Sequence, residues 1–202
     1  MPPESRVRMA ELQLETLQLE TIRKLPKVLL HDHLDGSLRP RTIIELAEKT
    51  GETLPAYDTE ELESWFHRGA HRGSLPLYLE GFAVTTAVMQ TEEALQRTAR
   101  ERVEDLIEDG VVYAEIRFAP VLHLKKSLNL EQVVLSVLKG LDEGCYEKSI
   151  DCRLIICAMR DMTGEASLEM AELAANFRDR GVVGFDLAGD ESGHPAKRHL
   201  EA

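Results

Sequence analysis

Short apolar runs alternate with longer amphipathic segments along most of the chain. Four runs have the length and composition of buried strands, at residues 28–33, 111–118, 153–158 and 182–187. Segments with helical spacing separate them, and this alternation predicts βαβ units and a parallel sheet. The runs are apolar almost throughout, which predicts a sheet that is covered on both faces.

The stretch between the first two runs is longer than a single crossover helix requires. Residues 54–74 within it are polar and rich in turn-forming residues, so we expect a loop there, with Trp65 and Phe66 as isolated anchors. Helical spacing and stop signals predict the remaining helices at 38–50, 75–89, 91–108, 130–143, 168–180 and from His199 onward.

Four strands with these extra helices predict an α/β fold that is the N-terminal part of a (β/α)8 TIM barrel. A complete barrel has eight strands and typically about 250 residues. We therefore expect residues 25–202 to form the first half of such a barrel, cut short. Residues 1–24 contain the near-repeat LQLETLQLETI and are predicted to form an N-terminal helical extension.

Composition and charge narrow the function classes. The formal net charge is −12 and no basic stripe is present, which argues against nucleic-acid binding and favours a neutral small molecule. No apolar run reaches the roughly 18 to 20 residues of a membrane span, and no secretory signal precedes the first strand. The three cysteines are sparse and odd in number, so we interpret them as buried structural thiols of a cytoplasmic protein.

The chemistry-bearing motif is His31-Asp32-His33-Leu34-Asp35-Gly36 at the end of the first apolar run. Side chains two apart on a strand leave the same face, so both imidazoles can reach one zinc ion while Asp32 points away. A bare pair of this spacing is often only two surface or core histidines, and Asp35-Gly36 can be only a turn. The position at a strand end favours the metal interpretation, because loops after barrel strands carry catalytic groups.

Three ordered segments resemble the adenosine deaminase family of metal-dependent hydrolases. LPKVLLHDHLDGSLRP is similar to the opening strand and loop of that family, VVYAEIRFAP to its second strand, and VVGFDLAGDE to the end of its fourth. The segments LLHDHLDG, RFAP, VVGFD and GHPAKRHLEA look closest to the actinobacterial members. The resemblance spans most of the chain from residue 25 onward.

The resemblance implies a role for each matching residue. His31 and His33 would bind zinc, one ion per full-length subunit, and His33 and Asp35 would contact a purine nucleoside, Asp35 through a ribose hydroxyl. Gly189 would offer its backbone N–H to a purine ring nitrogen, although it can also be only a strand-end bend. The implied activity is hydrolytic deamination of adenosine and 2′-deoxyadenosine, with release of ammonia, in purine salvage.

Other residues on these segments receive weaker interpretations. Glu115, Arg117 and Asp186 place charges on otherwise buried strands, so we expect structural ion pairing inside the barrel. Leu75, Leu79 and Phe82 have helical spacing and are interpreted as core, although the family uses this region as an apolar wall over the nucleoside.

The family's acid glutamate and its remaining metal ligands belong to later segments, of which the first reads HAGE. No such segment follows residue 187, so we expect a partial sequence that is inactive by itself. The alternatives are deamination of aminodeoxyfutalosine or another 6-aminopurine nucleoside, or a non-catalytic half-barrel that serves in binding or assembly. The other zinc deaminase chemistry is excluded, because the Pro-Cys-x-x-Cys segment that supplies its cysteine ligands is absent.

Overall fold

A four-stranded parallel sheet forms the centre of the fold. The computed structural model describes residues 19–71 and 73–202. The strands lie in the order β1-β2-β3-β4, which matches their order in the chain. This order confirms the predicted α/β architecture. The strands are β1 Lys27–His33, β2 Val111–Phe118, β3 Asp151–Met159 and β4 Val182–Ala188.

Helices connect the strands. Three of them lie between β1 and the helix at Glu92–Glu108, and they form the predicted helical excursion after the first strand. Short 3-10 turns occur at Leu34–Gly36, Pro120–His123, Arg178–Arg180 and Ala196–His199. The helices are α1 Leu19–Lys24, α2 Pro40–Thr50, α3 Thr59–Ala70, α4 Leu75–Val88, α5 Glu92–Glu108, α6 Leu130–Cys145 and α7 Gly164–Asn176.

Helix α3 corrects the expectation of a loop over residues 54–74. Its first turn is capped by Asp58, whose carboxylate accepts from the backbone N–H groups of Glu60 and Glu61 at 3.0 Å each. Leu62 is its single buried residue, so the helix contributes little to the core. A sequence pattern based on burial therefore misses it.

The ends of the other helices differ less from the predicted ones. Helix α7 begins four residues earlier than predicted because the Thr163 hydroxyl accepts from the N–H of Ala166 at 3.2 Å. The helix predicted from His199 onward is instead a 3-10 turn at Ala196–His199. Most of the predicted extension, residues 1–18, lies outside the described residues.

Strand β1 has an irregular register with β2 near its carboxyl end. Leu29 pairs with Ala114 of β2 and Asp32 pairs with Ile116, so β1 holds one residue more than β2 between these pairs. That extra residue is a β-bulge at Leu30-His31. Ala114 and Ile116 are fully buried in the helix layer, so their partners Leu29 and Asp32 face the same layer.

The buried Asp32 carboxylate is held by Arg102 of α5. The Arg102 Nε and Nη2 atoms lie 2.7 Å and 2.8 Å from the two carboxylate oxygens. Asp32 is 7% exposed, so this bidentate pair satisfies a charge that would otherwise be costly to bury. It fixes the end of β1 against α5.

Helices α5 and α6 cross closely because α6 carries glycine at the contact. A Cβ on Gly140 would lie 2.8 Å from Ala99 Cβ and would also clash with the Gln96 carbonyl oxygen. A Cβ on Gly144 would lie 2.6 Å from Val103 Cβ. These distances leave no space for a side chain.

Within residues 19–71 and 73–202, none of the helices has the length and apolar character required to cross a bilayer.

We predict that Arg102→Met destabilises the protein, because it leaves the Asp32 carboxylate buried without its partner. The free energy of unfolding should fall by about 3 kcal/mol or more. Urea denaturation of the complete gene product measures it. Arg100→Met is the matched control, since Arg100 is 41% exposed and pairs with Glu104 on the surface. It should cost less than about 1 kcal/mol, and equal losses in both variants would contradict the assignment.

We also predict that Gly140→Ala lowers the free energy of unfolding by about 1 to 3 kcal/mol, because the added methyl group separates α5 from α6. Thermal unfolding compares it with Gly69→Ala on α3. A Cβ at Gly69 meets no atom within 4 Å, so that change should be neutral or stabilising by up to about 1 kcal/mol. A neutral Gly140→Ala would show that the helices do not depend on this contact.

Candidate metal and nucleoside site

The two histidines at the end of β1 lie side by side. Their Nε2 atoms are 3.3 Å apart and their ring centroids 5.2 Å. Two nitrogen ligands bound at about 2.0–2.1 Å to one tetrahedral zinc ion are separated by about 3.3–3.4 Å. The spacing therefore fits two adjacent positions of a zinc coordination sphere, although no sequence pattern specifies it to this precision.

Arg117 and Asp186 complete the surroundings of His31. The Arg117 Nη1 atom lies 2.9 Å from His31 Nε2 and also pairs with the Asp186 carboxylate. A guanidinium only donates, so His31 Nε2 accepts and the imidazole is neutral. Burial, then the charges of Arg117 and His33, lower the pKa of His31. The neutral form is the one that binds metals, and a metal on Nε2 would displace the Arg117 contact.

This pairing refines the expectation for the charged strand residues. Ion pairing on the barrel-facing side of the sheet is present, but it joins Arg117 of β2 to Asp186 of β4. Glu115 instead accepts a hydrogen bond from the Tyr113 hydroxyl at 3.0 Å. Sequence spacing groups Glu115 with Arg117 but does not identify the cross-strand partner.

Asp35 is buried beside His33 in the 3-10 turn that follows β1. It is 5% exposed, and its Oδ1 atom lies 3.7 Å from His33 Nδ1. This oxygen has no hydrogen-bond partner among the described residues. A buried acceptor without a donor is costly, so a hydroxyl group delivered to this position would be bound favourably.

Phe82 of α4 covers the other side of this turn. Its ring meets the His33 ring edge-on, with centroids 5.7 Å apart. A Cβ on Gly36 would lie 3.2 Å from the Phe82 ring, so glycine permits this approach. A cavity of about 300 Å³ lies beside this turn, and Asp35 is one of the residues that line it. Its wall also includes the aromatic residues Trp65, Phe66, Tyr78 and Phe82.

The expectation that Leu75, Leu79 and Phe82 are plain core is wrong, since none of the three side chains is fully buried. Leu75 is 45% exposed. Phe82 lines the cavity beside Asp35, and Leu79 is half-buried. Helical spacing identifies the face correctly but cannot tell a filled core from the wall of a cavity.

Gly189 lies one residue beyond β4, at the same carboxyl edge of the sheet as the histidines. Its φ of 103° is in the left-handed region, and a Cβ would lie 3.3 Å from Met159 Cε. The strands β2 and β3 stand between it and β1. The structure thus brings His31, His33 and Asp35 together, with Gly189 across the sheet edge.

Within the described part of the chain, no three His, Cys, Asp or Glu side chains are grouped as a metal site. The histidine pair is therefore a partial ligand set. Sequence reasoning also missed the contacts of Arg102 with Asp32 and of Arg117 with His31, since neither is encoded by spacing along one element.

Comparison with known proteins decides the family. Residues 26–202 match the family model described as adenosine deaminase. The chain belongs to the adenosine deaminase family. The adenosine deaminase of Mycobacterium avium (strain 104) is 55% identical over 192 residues, which cover 92% of this chain and 52% of that protein. The chain spans about half the length of the curated relatives it matches.

Solved structures agree with this deaminase fold. The adenine deaminase from Arthrobacter aurescens is 29% identical, with a TM-score of 0.73 over 85% of this chain and 51% of that one. Arabidopsis ADAL complexed with IMP is 30% identical, with a TM-score of 0.76 over 90% of this chain and 54% of that one. The predicted family and the partial barrel are both confirmed.

We predict that His31→Ala in the complete gene product lowers zinc affinity by more than the 10- to 100-fold typical of removing an outer-shell partner. The variant would lack one of the two candidate nitrogen ligands. Competition against a zinc chelator, with metal content measured by mass spectrometry, tests this. His71→Ala is the control, because His71 is exposed at the end of α3. Equal zinc retention by both variants would contradict the ligand assignment.

Proposed function

We propose that the complete protein is a zinc-dependent deaminase that converts adenosine and 2′-deoxyadenosine to inosine and 2′-deoxyinosine with release of ammonia. The observation that carries this is the 3.3 Å spacing of the His31 and His33 Nε2 atoms beside the unpartnered Asp35 oxygen. The 55% identity to an adenosine deaminase supports the choice of substrate.

The residues of this chain have separate tasks in the proposal. His31 and His33 hold two positions of the zinc ion. When bound, zinc supplies an activated water by lowering its pKa. Asp35 accepts a ribose hydroxyl, and the Gly189 N–H donates to a purine ring nitrogen. Phe82 packs against His33 and limits the access of bulk water to this side.

The proposal requires groups beyond these. Deamination needs a proton donor for the purine ring and further metal ligands, and two histidines are too few for a catalytic zinc site. The complete protein must supply them, so residues 1–202 alone should release no ammonia. The alternative of a non-catalytic half-barrel predicts that the complete gene product is inactive as well.

Substrate range is tested by assaying ammonia release from adenosine, 2′-deoxyadenosine and aminodeoxyfutalosine in parallel. Adenine and AMP belong in the same assay, since structural relatives include an adenine deaminase and an IMP complex. The highest kcat/KM should be obtained with adenosine or 2′-deoxyadenosine. Turnover of none of the five would overturn the enzyme proposal. The predicted cytoplasmic location stays a prediction.

We predict that Asp35→Asn lowers kcat/KM for adenosine by about 10- to 100-fold, since hydrogen bonds to charged groups contribute about 1.5–3 kcal/mol. The loss should lie mainly in KM, with zinc content unchanged. Asp179→Asn is the control, because the Asp179 side chain is 88% exposed. An equal proportional loss with adenine, which has no ribose, would contradict a contact with the sugar.

A further inference from the structure

Arg160 lies against the start of the loop that carries Gly189. It is the first residue after β3, which ends at Met159, and the loop leaves β4 at Ala188. Met159 and Ala188 are partners in the register of the two strands. The backbone N–H of Arg160 donates to the Ala188 carbonyl at 2.8 Å. The two segments are therefore still joined at the point where the loop begins.

This hydrogen bond sets the direction of the Gly189 N–H. The Ala188 carbonyl and the Gly189 N–H belong to one planar peptide unit, and the structure has no cis peptide bond among its described residues. In a trans peptide the carbonyl and the N–H point in opposite directions. The carbonyl points to Arg160, so the N–H points away from β3. Among the residues that the structure describes, none accepts a hydrogen bond from it, so it remains available to a ligand.

Glycine is the residue that most needs such an external restraint. It limits its own backbone less than any other residue, so its neighbours must set the direction of its N–H. Gly189 lies directly against Arg160, because a Cβ at Gly189 would be 3.6 Å from Arg160 N and 3.9 Å from Arg160 Cβ. Arg160 is thus in the right place to supply the restraint.

The Arg160 side chain holds a second point of the loop. Its Nη2 atom lies 2.9 Å from the Glu191 carboxylate, and its Nη1 atom donates to the His194 carbonyl at 3.5 Å. The His194 N–H donates to the Glu191 carbonyl at 3.2 Å, so both contacts are made to one turn of the chain. The Arg160 side chain is 16% exposed and that of Glu191 is 76% exposed. The guanidinium therefore lies beneath the loop and binds it from the protein side.

The Arg160 carbonyl is held by buried side chains. His199 Nε2 lies 3.3 Å from this carbonyl, and His199 Nδ1 lies 2.7 Å from the hydroxyl oxygen of Ser167 on α7. A carbonyl only accepts, so Nε2 carries the proton and the Ser167 hydroxyl donates to Nδ1. Both side chains are buried. The position of Arg160 is consequently set by the helix layer as well as by the loop.

We propose that Arg160 is a positioning residue that directs the Gly189 N–H at the purine ring. Its backbone N–H fixes the peptide unit of Gly189, and its guanidinium keeps the loop in place through Glu191. This inference rests on the proposed function, because the contact between Gly189 and the purine belongs to that proposal. Arg160 contacts no reacting atom, so its effect is on the binding of the purine.

The remaining polar side chains of β3 have other surroundings. Arg153 pairs with Asp151 at 2.9 Å near the amino end of the strand. It provides the comparison for Arg160, since it is an arginine from the same segment with a carboxylate partner at the same distance. Cys157 is buried, as expected of a structural thiol, whereas Cys152 of β3 and Cys145 of α6 are half-buried, which corrects that expectation.

Binding of the product and its analogues measures this effect separately from the chemistry. Inosine, 3-deazainosine and 7-deazainosine are compared as inhibitors of adenosine deamination by the complete gene product. N3 and N7 are the ring nitrogens left to accept from Gly189, since N1 of inosine carries a proton and N9 carries the sugar. The unchanged protein should bind one of the two analogues about 5- to 150-fold more weakly than inosine, because the Gly189 N–H loses its acceptor.

Variants of the arginine and its partner test the positioning role. Arg160→Met should raise the Ki of inosine several-fold and leave the Ki of the affected analogue nearly unchanged, so that the discrimination between them is largely lost. Arg160→Lys restores a cation opposite Glu191 and should recover part of it. Glu191→Gln should reduce the discrimination by a smaller factor, and it decides the question if Arg160→Met does not fold, since this side chain is exposed. Arg153→Met is the control and should keep the full discrimination.

The possible outcomes separate this inference from the proposed function. If Arg160→Met, or Glu191→Gln in its place, weakens inosine and both analogues by the same factor, the role is merely structural and the inference is overturned while the deaminase proposal stands. Equal binding of all three compounds by the unchanged, active protein would overturn the inference as well. A complete gene product that neither deaminates adenosine nor binds inosine would overturn the proposed function and this inference with it.

Discussion

The ion pair between Asp32 and Arg102 is the constraint on which the site depends. A carboxylate with two histidine neighbours on a strand can face only one layer, and this one is buried against α5 with both oxygens occupied. The histidines on either side are consequently directed to the opposite face of the sheet. The pair is worth little as net stability, since burying two charges costs about as much as their attraction returns. Its effect is on orientation.

The parallel sheet then brings distant segments to one edge. Strands β1, β2 and β4 contribute His31, Arg117 and Asp186, which are far apart in sequence but meet on the barrel-facing side. Parallel strands all end at the same edge, so residues at their carboxyl ends become neighbours without any long loop. The pKa of His31 is accordingly lowered in part by Arg117 on the neighbouring strand, in addition to burial and to His33 of its own segment.

The sequence alone was sufficient to predict the strands, which have a regular apolar pattern, and the site residues that belong to one short motif. All four strands follow from apolar runs, and His31, His33 and Asp35 follow from one short motif at a strand end. Helix α3 was not predicted because its segment is polar and rich in turn-forming residues, and because only Leu62 in it is buried. The bulge in β1 also escaped, since an extra residue is defined only by the register of its partner strand.

The polar partners were the least predictable part of the site. In the sequence Arg102 resembles an ordinary surface arginine, and Arg117 is recognised only as a charge on a buried strand. Nothing in their spacing identifies Asp32 or Asp186 as a partner. Such pairings depend on the relative placement of elements tens of residues apart. Sequence patterns describe what one element buries, and they carry little information about which charge another element presents to it.

The excursion between β1 and α5 has a consequence for how proteins of this fold can diversify. Helices α3 and α4 form much of the wall of the cavity, while the sheet register and the Asp32–Arg102 pair orient the histidines, which α4 contacts through Phe82. Substitutions at Trp65 or Phe66 can therefore reshape the cavity without changing this contact with His33. In the proposed enzyme, the shape of the cavity and the position of the metal ligands would therefore depend on separate parts of the chain.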